Sequence, residues 1–178
     1  LQRVLKAWAG LGYYARARNL HGAARIIMRD LDGKIPTTRE DLLALPGFGP
    51  YTAGAVASIA FNRKAPALDG NVKRVLSRLS GVFDSSSFPE KKKLGELAED
   101  LLPDGRASEF NQALMDLGAT VCLPARPKCP SCPVRRFCSF PGREKSAGRR
   151  RERKRREEIW AVALVEKGGR LLIHRNDE

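Results

Sequence analysis

The sequence predicts a mainly α-helical fold that ends in a four-cysteine loop and is followed by the first hairpin of a β-containing segment. Apolar residues recur at helical spacing from residue 1 to about residue 118, as they do along Val72–Leu79. All four cysteines of the chain fall within 17 residues, and two apolar runs near the C-terminus are joined by Lys167, Gly168 and Gly169. These three observations define the predicted order of the chain.

Turn-forming residues divide the helical region into several helices. Breaks are predicted at residues 33–37, 46–50, 63–69 and 84–89, each of which is rich in Gly, Pro, Asp or Ser. Because the connections are short, consecutive helices are expected to pack as neighbours.

Residues 40–61 predict a helix, a tight glycine hairpin and a second helix. Gly47 and Gly49 flank Phe48, so the backbone can turn sharply and leave amide groups facing outward at the start of the second helix. This geometry binds phosphate, and Pro50 suits the first turn of the second helix. An ordinary helix–helix corner explains such a motif equally well when it is taken alone.

Asp69 precedes an amphipathic helix that is predicted to end near Ser80, and it occupies the N-cap position. Capping alone is a sufficient explanation for an isolated aspartate there. The preceding hairpin favours a second role, because a carboxylate beside a sugar whose flanking phosphates are bound would stabilise an oxocarbenium-like centre.

The four cysteines predict a metal centre. Cys122, Cys129, Cys132 and Cys138 are separated by six, two and five residues. Thiolates at such spacing can converge on one tetrahedral zinc ion or on a four-iron cluster, and the wide outer spans favour iron–sulfur over zinc. Two disulfides are the alternative, but no signal peptide is visible and a reducing compartment keeps thiols free.

The charge of the chain predicts a polyanionic partner. The net charge is +13, and residues 122–158 alone carry 13 Lys or Arg against 4 Glu. Charge runs also occur as solvated faces, but this concentration is what a nucleic-acid backbone attracts, with steeply salt-dependent binding. Residues 142–156 are expected to form an exposed linker or an arm that orders on nucleic acid. No apolar run is long enough to predict a membrane span.

Several motifs together resemble the MutY-type adenine DNA glycosylases of the helix-hairpin-helix superfamily, which includes endonuclease III. The motifs are the cysteine spacing, Gly10–Leu20 (GLGYYARARNL), Leu45–Gly54 (LPGFGPYTAG), Leu68–Val75 (LDGNVKRV) and Phe110–Gly118 (FNQALMDLG). The resemblance covers nearly all of residues 1–140. It implies a helical glycosylase core (1–121) with the helix-hairpin-helix at 40–61, an iron–sulfur loop (122–138), a basic linker (139–158) and the start of a truncated MutT-like, or Nudix-like, domain (159–178).

The resemblance implies base-excision repair of double-stranded DNA. The substrate would be adenine mispaired with 8-oxoguanine or guanine, flipped out of the duplex before its N-glycosidic bond is hydrolysed. In this family a glutamic acid protonates the departing base and an aspartate at the position of Asp69 stabilises the C1′ cation. The resemblance also implies a monomer located in the bacterial cytoplasm, associated with the nucleoid, or in the nucleus of a eukaryote.

The resemblance also assigns roles around Asp69. Tyr51 matches the position at which bifunctional lyases carry a Schiff-base lysine, and a phenol cannot form that imine. A monofunctional glycosylase is therefore expected, with Tyr51 and Asn71 forming hydrogen bonds around Asp69 and its substrate.

The remaining family positions concern DNA contact and the cofactor. Leu11 and Tyr13 match the segment that the family inserts beside 8-oxoguanine. Packing in a helix core is the alternative for Tyr13, for Tyr14 and especially for Trp8. The cysteines would hold a [4Fe-4S] cluster, and four basic residues of the loop would face DNA phosphates: Arg126, Lys128, Arg135 and Arg136.

The general-acid glutamate of the family has no match here, because it precedes the first matching motif and Leu1 begins after it. Glu40 and Glu109 match other positions. We therefore expect an internal piece of a longer protein, with slow turnover or none by itself. Three alternatives are an endonuclease III-like glycosylase/lyase, a non-catalytic DNA-binding iron–sulfur module and a nucleotide pyrophosphohydrolase, although the last lacks the acidic metal-binding helix it needs.

Overall fold

The computed structural model of the protein describes residues 1–82, 88–140, 166–167 and 170–171. The chain divides into two units, residues 1–144 and 145–178. The described part of the first unit is built from α1 (Gln2–Ala7), α2 (Tyr14–Asp30), α3 (Arg39–Leu43), α4 (Pro50–Ala55), α5 (Gly70–Ser80), α6 (Phe88–Leu101) and α7 (Ala107–Thr120). A π-helical segment, Val56–Ala60, continues α4, and short 3₁₀ turns lie at Cys129–Ser131 and Arg135–Phe137. The mainly helical prediction is confirmed.

Capping residues mark the ends of several helices. The Thr38 hydroxyl accepts a hydrogen bond from the Asp41 amide (3.2 Å) at the start of α3, and Gly81, with a φ of 77°, ends α5. The first and third predicted breaks lie between helices, and the second overlaps α4 by one residue, Pro50. The fourth prediction is wrong at its end, because α6 already begins at Phe88 and Pro89 occupies its first turn, where a missing N–H is no loss.

Two hydrophobic cores support the described part of the first unit. The first core joins α2, α3 and α4 through the buried residues Ala23, Leu42, Leu45, Ala53, Ala57 and Ala65. Several of these residues are alanines, so the helices approach one another closely around the glycine hairpin.

The second core joins α5 to α6 through Val72, Leu76, Leu94 and Ala98, and Leu114 and Met115 of α7 pack against it. The helical stripe of α5 is therefore buried as its spacing predicts. At the end of α6, Leu101 is exposed, whereas Leu102, just beyond the helix, is buried.

The described part of the second unit contains β1 (Glu166–Lys167) and β2 (Arg170–Leu171). The strands pair antiparallel, Glu166 with Leu171 and Lys167 with Arg170. These two short strands lie within the segment where the hairpin is predicted, and Lys167 belongs to a strand and not to the turn. Residues 159–165 and 172–174, where the rest of the hairpin is predicted, lie outside the described residues. Among the helices that are described, none combines the length and apolarity needed to span a membrane.

Candidate functional site

The glycine hairpin lies against α2. Gly47 has a φ of 82°, and a Cβ atom there would lie 2.7 Å from the Cβ atom of Asn19. Glycine is therefore required both by the backbone conformation and by the neighbouring helix. Phe48 differs from its neighbours: its side chain packs against the first core and its amide donates to the Leu45 carbonyl at 3.2 Å. The exposed residues of the hairpin are Gly47 and Gly49.

Helix α4 begins directly after the hairpin. Gly49 is extended at the N-cap and Pro50 is the first helical residue. Tyr51 follows in the first turn with 45% of its surface exposed. The amides of a first helical turn have no acceptor within the helix, so those of Tyr51 and Thr52 can serve an external anion.

Helix α4 also contacts the segment that leads to Asp69. A Cβ atom on Gly54 would lie 2.1 Å from the Pro66 carbonyl oxygen, closer than any real contact. The segment is fixed on its other side by Asn111, which is only 2% exposed. The Asn111 side chain donates to the Ala65 carbonyl (2.9 Å) and accepts from the Ala67 amide (3.2 Å). One buried amide thus satisfies two backbone groups of a non-helical segment.

Asp69 is held in a defined orientation at the start of α5. Its Oδ1 atom accepts from the Val72 amide at 2.6 Å, and its Oδ2 atom accepts from the Asn71 side chain at 3.1 Å. The predicted capping role and the pairing with Asn71 are both present. Tyr51 is not among the hydrogen-bond partners of Asp69 in the described part of the chain. A carboxylate has about four lone-pair positions, so capacity remains on this half-buried group for a reacting centre.

Asn71 connects Asp69 to the cysteine loop through Arg74. The Arg74 guanidinium donates to the Asn71 side-chain oxygen (2.8 Å), the Gly118 carbonyl (2.7 Å) and the Cys122 carbonyl (2.8 Å). Gly118 allows α7 to lie close to the start of α5, because a Cβ atom on Gly118 would lie 2.6 Å from the Cβ atom of Asn71.

Sequence reasoning missed both Asn111 and Arg74. A signal for Asn111 was present, since it shares the apolar stripe of α7 with Ala107, Leu114 and Gly118 at helical spacing. Arg74 gave no comparable signal, because a basic residue on an amphipathic helix ordinarily faces solvent.

The four cysteines line one cavity of about 200 Å³. All four are free thiols, so the disulfide alternative is wrong for this structure. Val121 and Phe140 supply apolar walls, and Arg78 and Arg135 supply positive charge. Across the residues that the structure describes, no three Cys, His, Asp or Glu side chains lie close enough together to hold a single metal ion. The four cysteine thiols thus border one shared cavity.

The outer surface of the cysteine loop is basic. The four predicted phosphate-facing residues are exposed, namely Arg126, Lys128, Arg135 and Arg136. The Arg136 guanidinium lies 4.5 Å from the ring centroid of Phe137, which is itself exposed.

The loop between α1 and α2 presents the predicted insertion residues. Leu11 is 68% exposed and Tyr13 is 83% exposed, so packing in a helix core does not explain them. Gly10, Gly12 and Tyr13 all have positive φ, which for a tyrosine is uncommon. The loop is braced by Trp8, whose indole N–H donates to the Gly12 carbonyl at 3.0 Å.

The prediction that Trp8 packs in a helix core is therefore wrong. The residue is half-buried and follows the end of α1, and the Arg16 guanidinium lies 5.5 Å from its ring centroid. Tyr14 is also exposed, and its hydroxyl accepts a long hydrogen bond from the Gly10 amide at 3.4 Å.

Comparison with proteins of known sequence finds adenine DNA glycosylases. The human enzyme is 49% identical over 140 residues, which are 78% of this chain and 26% of the relative. The enzyme of Buchnera aphidicola strain Bp is 41% identical over 138 residues, 78% of this chain and 39% of the relative. The Arabidopsis thaliana enzyme is 44% identical over 141 residues, 77% of this chain and 22% of the relative. The chain thus spans about a fifth to two fifths of the length of these relatives.

Solved structures share the fold. A thermostable thymine-DNA glycosylase matches with a TM-score of 0.70 and 38% identity, over 78% of this chain and 64% of that chain. Endonuclease III in a non-covalent DNA complex matches with a TM-score of 0.62 and 30% identity, over 77% and 63% of the two chains. Residues 1–104 match the family of HhH-GPD superfamily base excision DNA repair proteins. By this match and these relatives, the chain belongs to the HhH-GPD superfamily of base excision DNA repair proteins.

Proposed function

We propose that the complete protein is a monofunctional DNA glycosylase that hydrolyses the N-glycosidic bond of adenine mispaired with 8-oxoguanine or guanine. The observation that carries the proposal is Asp69, a half-buried carboxylate oriented by the Val72 amide and the Asn71 side chain with lone pairs still available. The similarity to adenine DNA glycosylases at 41–49% identity supports the choice of base.

Asp69 would act on the sugar and not on the base. As the bond from C1′ to adenine breaks, positive charge develops on C1′, and a fixed carboxylate nearby lowers the energy of that cation. Asn71 keeps the carboxylate from rotating, and Arg74 in turn holds Asn71. Water would then add to C1′ after the adenine has left.

Three exposed surfaces would bind the duplex. The Gly47–Gly49 hairpin and the first turn of α4 offer amide groups to phosphate. The basic cysteine loop would contact further phosphates, and Leu11 with Tyr13 would fill the space beside the flipped base. DNA complexes of endonuclease III among the structural matches support DNA binding by this fold.

The test uses single-turnover excision by the protein that the complete gene encodes. We expect release of adenine opposite 8-oxoguanine, without release of thymine opposite guanine in a matched duplex, and without a covalent adduct after borohydride reduction. The last result follows because Tyr51 has no amine with which to form an imine.

A borohydride-trapped adduct would instead support the second candidate, an endonuclease III-like glycosylase/lyase, which the 30% identity to endonuclease III brings into consideration. Thymine release with no adenine release would contradict the proposed base specificity.

We further propose that the four cysteines hold a [4Fe-4S] cluster. The four thiols line one cavity of about 200 Å³ together with five other residues. Four soft sulfur donors around such a space fit a cluster better than one ion. The cluster would fix the shape of the basic loop, since Cys122 at the end of α7 and Cys138 would be ligands of one group.

Anaerobic purification tests the cofactor. We expect a brown protein with about four iron atoms per chain, as four-cysteine ligation of such a cluster requires. Cys132→Ser should lose the colour and most of the iron, whereas Ser131→Ala, a change at the exposed neighbouring residue, should keep both. A colourless protein that contains one zinc per chain would contradict the proposal.

Residues 159–178 are proposed to begin a MutT-like domain that follows a basic linker. The antiparallel pairing of Glu166 with Leu171 supports a hairpin at this place. The HhH-GPD match ends before this segment, at residue 104.

A further inference from the structure

Arg78 contacts the N-terminal end of the cysteine loop with both terminal nitrogens of its guanidinium group. Its Nη1 atom lies 3.3 Å from the Cys122 sulfur and donates to the Leu123 carbonyl at 2.8 Å. Its Nη2 atom donates to the Pro124 carbonyl at 2.8 Å. The group is therefore oriented by two backbone acceptors, and it directs an N–H toward one particular sulfur.

The C-terminal end of the loop meets the same residue. The Phe140 ring lies under the guanidinium, 4.8 Å from ring centroid to Cζ. The Cys138 sulfur lies 3.4 Å from the Arg78 backbone carbonyl. The two outer cysteines thus face opposite polarities of one residue: Cys122 meets a cation, and Cys138 meets a carbonyl oxygen.

The Arg78 guanidinium is held in a fixed position beside Cys122. Arg78 is half-buried and lines the cavity together with all four cysteines. A guanidinium keeps its charge at every physiological pH, and its planar fork matches two carbonyl acceptors at once. Carbonyls on its edge and a ring on its face leave the charge fixed beside Cys122.

Arg74, one helical turn earlier on α5, offers a natural comparison. It also carries a fixed guanidinium and also contacts Cys122, but it donates to the carbonyl oxygen and not to the sulfur. Comparing the two arginines therefore separates the effect of a contact with the loop backbone from the effect of a contact with a cysteine sulfur. Both hold the backbone of the loop, whereas Arg78 also donates to a cysteine sulfur.

We propose that Arg78 sets the reduction potential of the cluster by donating a charged hydrogen bond to the Cys122 sulfur. The inference rests on the proposed [4Fe-4S] cofactor. Hydrogen bonds to ligand sulfurs and nearby charges are main determinants of cluster potentials. A fixed positive charge stabilises the more reduced state, which carries one more negative charge, and so raises the potential.

The experiment measures the midpoint potential of the cluster by film voltammetry of the purified holoprotein. Arg78→Gln should shift the potential to a more negative value, because the charge is lost while a polar side chain remains. Arg78→Lys should shift it in the same direction by a smaller amount, since an ammonium keeps the charge without the planar fork. Arg74→Gln, the matched control, should leave the potential closer to that of the unaltered protein.

The outcomes separate this inference from the proposed cofactor. An unaltered protein without iron would overturn the cofactor and with it the inference. A cluster-containing protein whose potential is the same in Arg78→Gln, or shifts equally in Arg74→Gln, would overturn the role of Arg78 alone. If Arg78→Gln does not retain its cluster, Arg78→Lys decides, and an unchanged potential in that variant would overturn the inference.

Discussion

Asp69→Asn in the complete protein is expected to slow adenine excision about 100- to 1,000-fold, because removing one preorganised partner of a developing charge typically has an effect of that size. Asparagine is as good an N-cap as aspartate, so α5 should keep its first turn. The variant therefore removes the negative charge while it retains the fold. Single-turnover excision from a duplex with adenine opposite 8-oxoguanine measures the effect.

Two controls make this result specific. Asp116→Asn neutralises an exposed carboxylate on α7 and should excise adenine at the unaltered rate. The thermal unfolding of Asp69→Asn should match that of the unaltered protein. If Asp69→Asn excises adenine at the normal rate, the catalytic assignment fails, and a DNA-binding module without catalysis becomes the better description.

Gly54→Ala is expected to lower the free energy of unfolding by about 1–3 kcal/mol, the usual cost of inserting a methyl group into closely packed backbone. The added Cβ atom would lie 2.1 Å from the Pro66 carbonyl oxygen. Neither partner can rotate away, since one is a helix backbone and the other belongs to the segment that Asn111 holds. Urea denaturation followed by circular dichroism measures the loss.

Gly95→Ala is the matched control for this substitution. Gly95 lies within α6, and a Cβ atom there would meet nothing within 4 Å. Alanine favours a helix over glycine by about 0.5–1 kcal/mol, so this variant should be slightly more stable. If Gly54→Ala also gains stability, the close approach of α4 to the segment before Asp69 is not a constraint on the fold.

The helical core could be predicted from the sequence because its signals are local. The stripe along α5, the hairpin glycines and the cap at Asp69 each depend on residues within a few positions of one another. Family membership was also predictable, and the comparisons confirm it. The break between α1 and α2 was not predicted, because Leu11 and Tyr13 continue an apolar pattern that the positive φ values of this loop interrupt.

The connections within the candidate site could not be predicted, because they join residues far apart in the chain. Arg74 reaches Gly118 and Cys122, and Asn111 reaches Ala65 and Ala67. Nothing in a single sequence indicates which arginine of an amphipathic helix turns inward to satisfy carbonyls at the end of another helix. The cysteine spacing predicted a shared centre, but the neighbouring Arg78 became visible only in three dimensions.

Helix α5 connects Asp69 to the cysteine loop. Arg78 lies nine positions after Asp69, so at about 1.5 Å per residue the two backbone positions are about 13 Å apart along the helix axis. Because Arg74 on the same helix also joins the Asn71 side chain to the Cys122 carbonyl, α5 fixes the positions of Asp69 and of the cysteine loop together.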